Sequence, residues 1–289
     1  MADMTPGEPQ SAADYDDRTT AAVKTVLVEM GQILGSFKGK FAVVGGAVPW
    51  LLLGNEEMPH VGTLDIDLGL DAQALGDGEY ATLVAALCGH GYQQRRELRR
   101  FQLVRQVPTG DGGAPIDIVV DFLMPRDAEI VKNVPPLIND FAVQRADGAD
   151  LALRFHQMVA ITGAMPSGGT NRVEIAVCSI PALLAMKGHA IEGRYKQKDA
   201  YDIYYCVRNY PGGPEVLAEA CRPLLAHASG MRGYRLIAGK FDTAEGFGPT
   251  CVRRFVEETN VLGERSPEQW QQDAFGQVDA WLRALGLRA

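Results

Sequence analysis

Residues 63–70, with the sequence TLDIDLGL, constrain the fold more than any other segment of this chain. Polar and apolar residues alternate here as in a strand with one buried face, so Ile66 and Leu68 would point into the core. Asp65 and Asp67 would lie on the opposite face, about 6–7 Å apart along the strand. Two carboxylates at that spacing repel each other unless a cation lies between them, and such oxygen ligands suit Mg²⁺. The alternative is a pair of solvated acids on an exposed strand face.

A pair of glycines precedes this strand. Lys40–Val44 (KFAVV) has the composition of a short buried strand, Gly45 and Gly46 follow it, and Ala47–Leu53 is predicted to be a short helix. Free backbone N–H groups at the start of a helix attract anions, and glycine lets a phosphate approach the backbone closely. The pair therefore indicates a phosphate cradle or, alternatively, an ordinary tight turn.

Further acids lie on a later strand. Ile116–Leu123 (IDIVVDFL) alternates so that Asp117 and Asp121 share one face. Either acid could add a third carboxylate if this strand is a neighbour of the first. Three carboxylates suit two-metal phosphoryl transfer, in which two acids hold the ions and one activates the attacking hydroxyl.

The hydrophobic pattern changes near Ser179. Before it, helical and strand patterns are mixed; after it, the segments that begin at Pro181, Lys198, Pro214 and Pro267 all indicate helices. The last of these has a capping box, Ser266-x-x-Gln269. Other predicted elements are a helix from Thr20 to Gly35, a helical stripe at 80–88, and strands at 101–106 and 172–178. Residues 125–169 show no clear pattern.

Three regions are expected from this layout. Residues 1–17 hold five acidic residues and no basic one, and are predicted to be a disordered leader. Residues 18–178 would form an α/β (α+β) domain, and residues 179–289 a helical domain.

Composition narrows the class of protein. No run of about 18 apolar residues is present, so no membrane span is expected. The five cysteines are scattered without metal-ligand spacing, which indicates reduced thiols in a cytoplasmic protein and makes zinc an unexpected cofactor.

The net charge of −8 argues against broad nonspecific binding to nucleic acids. A local exception is a stretch rich in arginine. It could be a solvated strand edge or could line a local basic groove. The arginines are Arg95, Arg96, Arg99, Arg100 and Arg105.

Together these motifs resemble those of the polymerase-beta-type nucleotidyltransferase superfamily. The resemblance rests on the glycine pair, the DxD motif and an acid on a later strand. A further stretch, LAMKGHAIEGRYKQKDAYDIYY at 184–205, is similar to the AbiEii/AbiGii toxin family of nucleotidyltransferases. The resemblance spans residues 41–205 and implies a palm-like mixed β-sheet flanked by helices, followed by a mainly helical carboxy-terminal region.

The resemblance also implies roles in catalysis. Gly45 and Gly46 would face the nucleoside triphosphate (NTP), and Asp65 and Asp67 would ligate Mg²⁺. Asp121 matches the family's third acid slightly better than Asp117 does, because VVDFL resembles the strand that carries it. Asp117 remains open as the alternative.

The carboxy-terminal motif supplies three more candidates. Lys187 would contact phosphate, for which a compact ammonium is suited. Asp199 would support the site, by holding Lys187 or a bound ligand, and Asp202 shares its helix face. For Lys198, Asp199 and Asp202, the other interpretation is a surface ion-pair cluster.

The sequence departs from the superfamily at two positions. Gly46 stands where a serine is most common, which removes a hydroxyl that could contact phosphate. His60 stands where family members often carry an arginine before the DxD strand, and it could be a substrate contact or a loop residue.

By resemblance, then, the chain would be a Mg²⁺-dependent nucleotidyltransferase that acts on RNA, such as the acceptor end of tRNA. It would be the toxin of a toxin–antitoxin system and would have a cognate antitoxin as partner. One alternative is an enzyme that modifies a small molecule such as an aminoglycoside, whose positive charge suits an acidic protein. Another is a non-catalytic protein that binds nucleotides.

Overall fold

The computed structural model describes residues 16–109, 112–128, 143–258 and 263–288. The chain is divided into two compact units. The first comprises Asp16–Ala47 and Gly62–Cys178, and the second comprises Val48–Val61 and Ser179–Ala289. Residues 48–61 thus belong to the second unit, whereas they were predicted to lie in the first domain. No helix in the described ranges is long and apolar enough to cross a membrane.

The first unit is a mixed β-sheet with helices packed on it. The helices are α1 (Asp17–Ile33), α3 (Glu79–Gly89) and α4 (Ala149–Arg154). Helix α2 (Ala47–Leu52) belongs to the second unit from Val48 onwards. The strands are β1 (Phe41–Val44), β2 (Asp65–Leu70), β3 (Gln102–Val107), β4 (Ile116–Pro125), β5 (Gln144–Ala146), β6 (His156–Ala164) and β7 (Thr170–Cys178).

The strand order of this sheet is β3-β4-β2-β1-β7-β6, and β5 pairs with β4 beyond the end of β3. The pairing is parallel between β2 and β4 and between β1 and β7, and antiparallel elsewhere along this order. The sheet is therefore mixed, as the sequence resemblance implies.

Helix α1 covers one face of the sheet. A Cβ on Gly31 of α1 would lie 2.6 Å from the side chain of Val173, which places the helix against that side of β7. Val177 points to the same face as Val173, because the two residues are four apart on β7. Val177 pairs with Val43 of β1, and Val43 pairs with Leu68 of β2, so Leu68 points to this face as well. The apolar side chains of β2 are therefore buried under α1, and its acids lie on the opposite face.

Helix α1 and its N-cap include two residues that were predicted to belong to the disordered leader. Asp16 caps the helix, because its side chain accepts a hydrogen bond from the backbone N–H of Thr19 at 2.5 Å. Asp17 is the first helical residue. These two residues are therefore ordered, in contrast to the prediction, and residues 1–15 lie outside the described part of the chain.

The second unit is helical. Its remaining helices are α5 (Ile180–Gly193), α6 (Gln197–Asn209), α7 (Gly213–Cys221), α8 (Ala228–Lys240), α9 (Phe247–Glu258) and α10 (Pro267–Ala284). The capping box is confirmed at the start of α10, where Ser266 and Gln269 each bond the other's backbone N–H. Trp281 of α10 is fully buried and packs edge-on against Tyr234 of α8.

Helices α5 and α8 cross at very short distance through two glycines. A Cβ on Gly188 would lie 2.0 Å from the carbonyl oxygen of Gly233, and a Cβ on Gly233 would lie 2.2 Å from that of Ala185. The obstructing atoms are backbone atoms, which cannot rotate away. Glycine at these positions is therefore needed for the crossing.

Replacing Gly188 by alanine is expected to lower the free energy of unfolding of the second unit by at least about 1–3 kcal/mol, as overpacking does. The matched control is Gly239→Ala on α8, where an added Cβ meets nothing within 4 Å. That change is expected to stabilise by about 0.4–1 kcal/mol. All three tryptophans of the chain, Trp50, Trp270 and Trp281, belong to the second unit, so urea unfolding followed by their fluorescence measures both effects. Equal effects of the two variants would contradict the close crossing.

Most predicted elements are confirmed. The strands predicted at 40–44, 63–70, 101–106, 116–123 and 172–178 appear as β1, β2, β3, β4 and β7 with small shifts at their ends. The unpredicted segment 125–169 contains β5, α4 and β6; β6 is an edge strand with few buried residues, so it lacks a hydrophobic alternation. Helices α8 and α9 were also not predicted, and the glycines of α8 disfavour a helix in isolation.

Candidate active site

Asp65, Asp67 and Asp121 lie on one face of the sheet. The register of the parallel strands β2 and β4 pairs Asp67 with Asp121, and Asp65 with Val119. Paired residues point to the same side, and residues two apart on a strand share a face. The three carboxylates therefore project from adjacent strands on the face opposite α1. Each of these residues is partly exposed.

Two neighbours constrain the carboxylates of β2. Thr63 is buried, and its hydroxyl lies 3.0 Å from Asp65 Oδ1 and 3.2 Å from the Asp65 carbonyl oxygen, so it can donate to either. Gly45 follows β1 with a φ of 70°, and a Cβ there would lie 1.8 Å from Asp67 Oδ2. Glycine thus permits both the left-handed backbone and the close approach to Asp67. Gly46 comes next and is followed directly by α2.

Asp117 has a different environment from Asp121. It pairs with Gln106 of β3, before the part of β4 that pairs with β2. Its two carboxylate oxygens accept hydrogen bonds from the guanidinium of Arg95. Of the two acids considered for a third carboxylate, Asp121 is therefore the one that lies beside Asp67.

The donor set of this face can be compared with the needs of a metal ion. In the described part of the chain, no group of three or more His, Cys, Asp or Glu side chains is already arranged to hold a metal. Mg²⁺ does not require such a cage, because it keeps several waters and takes one or two carboxylates together with substrate phosphates. Carboxylates on one face, beside a glycine turn, fit that chemistry.

The second group of predicted residues lies in the second unit and forms an ion cluster. It consists of Lys187, Arg194, Lys198, Asp199 and Asp202. Lys187 Nζ lies 2.7 Å from Asp199 Oδ1 and 2.7 Å from Asp202 Oδ2. Arg194 Nε donates to Asp199 Oδ2 at 2.8 Å, and Lys198 Nζ donates to Asp202 Oδ1 at 2.8 Å.

The centre of the ion cluster is buried, and Arg194 at its edge is 47% exposed. The side chain of Lys187 is 8% exposed, and those of Asp199 and Asp202 are 2% and 0% exposed. The interpretation of these charges as a surface ion-pair cluster is therefore wrong. Spacing alone could not distinguish the two cases, because i, i+3 acids share a helix face whether that face is buried or exposed.

His60 completes the ion cluster from the loop before β2. Its Nε2 lies 3.1 Å from Asp202 Oδ1, its ring packs edge-on against Tyr205 with centroids 4.7 Å apart, and its side chain is 1% exposed. Because Asp202 is ionised, the histidine Nε2–H must be the donor. Of the two interpretations of His60, a loop residue fits this burial, and its contact with Asp202 could not be seen in the sequence.

The opposite charges of the ion cluster keep one another ionised by shifting one another's pKa. Burial alone would raise the pKa of Asp202, but Lys187, Lys198 and the bond from His60 outweigh it and hold that pKa well below its usual range. Asp199 behaves likewise, with Lys187 and Arg194 lowering its pKa. Burial alone would lower the pKa of Lys187, and the two aspartates reverse this and raise it. Lys187 is therefore held as an ammonium between two carboxylates at neutral pH.

His60 is expected to make the second unit less stable in mild acid. Burial, and then the charge of Lys198, lowers the pKa of His60 from 6.5 to about 4. The unfolded chain therefore takes up a proton between about pH 6.5 and pH 4 that the folded chain does not. Stability is complete above pH 6.5 and is expected to fall by about 3 kcal/mol as the pH drops to 4.

Urea unfolding at a series of pH values, followed by tryptophan fluorescence, measures this loss. His60→Gln keeps a neutral donor towards Asp202 but cannot titrate, and it should remove this part of the pH dependence. The exposed His90, changed to glutamine, is the matched control and should leave the pH dependence as in the wild type. An identical acid-induced loss in His60→Gln would contradict the assignment.

A mixed sheet flanked by helices, together with a helical carboxy-terminal unit, is consistent with a nucleotidyltransferase fold. The family model described as "Nucleotidyl transferase AbiEii toxin, Type IV TA system" matches residues 39–280, which is most of the chain. The chain therefore belongs to the AbiEii family of nucleotidyltransferase toxins of type IV toxin–antitoxin systems. No curated protein matches it. Enzymes of this class generally use an NTP and a divalent metal ion, and toxins of this kind are paired with an antitoxin.

Proposed function

We propose that this toxin transfers a nucleotide from an NTP to RNA, with tRNA as the acceptor, in a reaction that depends on Mg²⁺. The observation that carries the proposal is the register of β2 and β4, which places Asp121 beside Asp67 and on the face of Asp65. Three carboxylates on adjacent strands are what phosphoryl transfer needs for holding metal and for activating a hydroxyl.

Asp65 and Asp67, with Asp121, would hold the metal. Bound there, Mg²⁺ would neutralise charge on the phosphates of the NTP. Thr63 restrains the Asp65 carboxylate through its hydroxyl. Asp121 is also suited to accept the proton of the acceptor hydroxyl, because a carboxylate beside the reacting group can act as a general base.

The remaining predicted residues would bind the nucleotide. Gly45 and Gly46 leave the backbone open to a phosphate, since neither carries a Cβ. Lys187 would contact phosphate, and Asp199 and Asp202 would keep it charged and in place. The protein would act in the cytoplasm, where NTPs and tRNA are available, until a cognate antitoxin neutralises it.

The direct test is incubation of the purified protein with each of the four α-labelled NTPs, Mg²⁺ and total RNA. Label is expected on RNA, in the tRNA size range, with one or more NTPs. Chelation of the metal with EDTA should abolish the transfer, and so should the double variant Asp65→Asn, Asp67→Asn. Label on RNA that persists in the double variant would contradict the proposed site.

Parallel assays separate the competing functions. Label on an aminoglycoside such as kanamycin instead of RNA, together with drug resistance of expressing cells, would support the small-molecule enzyme. Binding of NTP without transfer to either acceptor would support a non-catalytic protein. Growth arrest on expression, lost in the double variant, is expected for the toxin.

A further inference from the structure

Between α3 and β3 lies a basic loop in an otherwise acidic protein. We call Arg95–Phe101, with the sequence RRELRRF, the arginine loop. It holds four arginines and one glutamate, although the chain as a whole has a net charge of −8. Arg96, Arg99 and Arg100 are exposed.

The arginine loop is held firmly on β4. Arg95 is anchored at its start by the bidentate contact with Asp117. At its end, the Phe101 carbonyl oxygen accepts a hydrogen bond from Phe122 N–H at 3.1 Å. Between these anchors, the Leu98 N–H bonds the Arg95 carbonyl oxygen at 3.0 Å and forms a turn. The arginine loop is therefore attached to β4 at both of its ends.

The arginine loop also lies next to the carboxylate face. Gln102, the first residue of β3, is paired with Asp121, which in turn is paired with Asp67. Arg100 precedes Gln102 by two residues, a distance of at most about 7 Å along the chain. The backbone of the exposed Arg100 is thus close to the strand end that carries Asp121.

From this placement we infer that the arginine loop is the docking surface for the phosphate backbone of the RNA acceptor. The inference rests on the proposed function, since it names how the acceptor reaches the carboxylates. Guanidinium groups bind phosphates through paired N–H donors. Local positive charge reduces the repulsion between a polyanion and three carboxylates on a net negative protein, and the arginine loop supplies such charge next to the strand that pairs with Asp121. Arg105 is not part of the arginine loop: it lies on β3, and its guanidinium contacts the buried Glu29 at 2.8 Å.

The test compares two triple variants. Arg96→Gln, Arg99→Gln, Arg100→Gln removes the exposed charges of the loop but keeps Arg95 on Asp117. The control is Arg232→Gln, Arg235→Gln, Arg254→Gln, which removes three exposed arginines from the helical unit. Both proteins lose the same charge, so only the place of the charge differs.

Binding of labelled deacylated tRNA is measured without NTP by fluorescence anisotropy, from about 50 to about 200 mM salt. In the loop variant the Kd is expected to rise about 10- to 100-fold, and the slope of log K against log salt to fall by about 2–3. The control variant should bind as the wild type does. An unchanged Kd and slope in the loop variant, or equal losses in both variants, would overturn the inference.

An acidic protein is the competing occupant of this surface. Poly-glutamate is therefore added as a competitor; displacement of tRNA by equal amounts of poly-glutamate would overturn the assignment to RNA. If the triple loop variant does not fold, judged by its circular dichroism, the single variants replace it, and each should lower the slope by about 1.

Nucleotide transfer distinguishes failure of the inference from failure of the proposed function. The loop variant should show a raised KM for tRNA, with unchanged KM for NTP and unchanged kcat at saturating tRNA. Loop-dependent binding of tRNA, with no transfer to RNA even by the wild type, would overturn the proposed function alone. Transfer by the wild type and the loop variant with equal KM for tRNA would overturn the docking role alone.

Discussion

Replacing Asp67 by asparagine is expected to lower the rate of nucleotide transfer about 10³-fold or more, while the protein stays folded. Asparagine keeps the size of the side chain but removes its charge, and a metal that stabilises transition-state charge contributes several kcal/mol. A loss of about 4 kcal/mol corresponds to a factor of 10³ in rate. Single-turnover transfer of labelled nucleotide to tRNA, with both substrates saturating, measures the change directly.

Three further variants make the result specific. Asp71→Asn is the matched control: this acid follows β2 directly, and its side chain accepts hydrogen bonds from the N–H groups of two turn residues, which asparagine can also do. It should transfer at the wild-type rate. Asp121→Asn should behave like Asp67→Asn, whereas Asp117→Asn should change kcat far less. A normal rate for Asp67→Asn would disprove the carboxylate site.

Replacing Asp202 by alanine is expected to destabilise the second unit by about 3–5 kcal/mol. Asp202 is fully buried and is the shared partner of Lys187, Lys198 and His60. Its removal leaves the ammonium groups of Lys187 and Lys198 with less negative charge nearby. A buried charge without a partner raises the free energy of the folded state. The midpoint of thermal unfolding, followed by tryptophan fluorescence, should fall by roughly 10 °C or more.

The control for this change is an ion pair at the surface. Glu219 and Arg222 are 2.9 Å apart, but their side chains are 68% and 50% exposed. Glu219→Ala should therefore cost no more than about 1 kcal/mol. The double variant Lys187→Met, Asp202→Ala should lose less free energy of unfolding than the sum of the losses in the two single variants, because the two side chains are in direct contact. Strict additivity would show that the two residues are not coupled.

The ion cluster also bears on the role of Lys187. Its ammonium is shared by two ionised carboxylates, each of which is held by another cation as well. Such an arrangement fixes the position of the Nζ atom more tightly than a single ion pair would. Such preorganisation would strengthen binding of a phosphate to the lysine, because a side chain that is already held in place loses less conformational entropy when the substrate binds.

The sequence allowed the secondary structure of the first unit to be predicted well where one face of an element is buried. Strand β2 is the clearest case, because alternation separates its apolar side chains from Asp65 and Asp67. Strand β6 has few buried positions and left no pattern, so it was missed. Helix α8 was missed because its glycines disfavour a helix locally, yet two of them pack closely in the structure, at Leu224 and at the crossing with α5.

The sequence identified the candidate site residues, but it did not show which residues contact each other. The alternation of side chains predicted that Asp117 and Asp121 share one face of a strand, but not which of them lies beside Asp67. Only the strand register shows that Asp121 is beside Asp67 and that Asp117 is bound by Arg95. Thr63 was not predicted as a site residue, since a threonine two positions before an aspartate carries no signal of its hydrogen bond.

The sequence by itself determined that Asp65 and Asp67 share one face of a strand, because side chains alternate along any strand regardless of its neighbours. It also indicated the family, because each motif is a short stretch of residue types that can be recognised without the structure. The tertiary structure decided which distant residues meet: Gly45 against Asp67, and His60 against Asp202, 142 positions along the chain. Such contacts depend on strand order, register and burial, and these arise from packing of the whole unit rather than from any one segment.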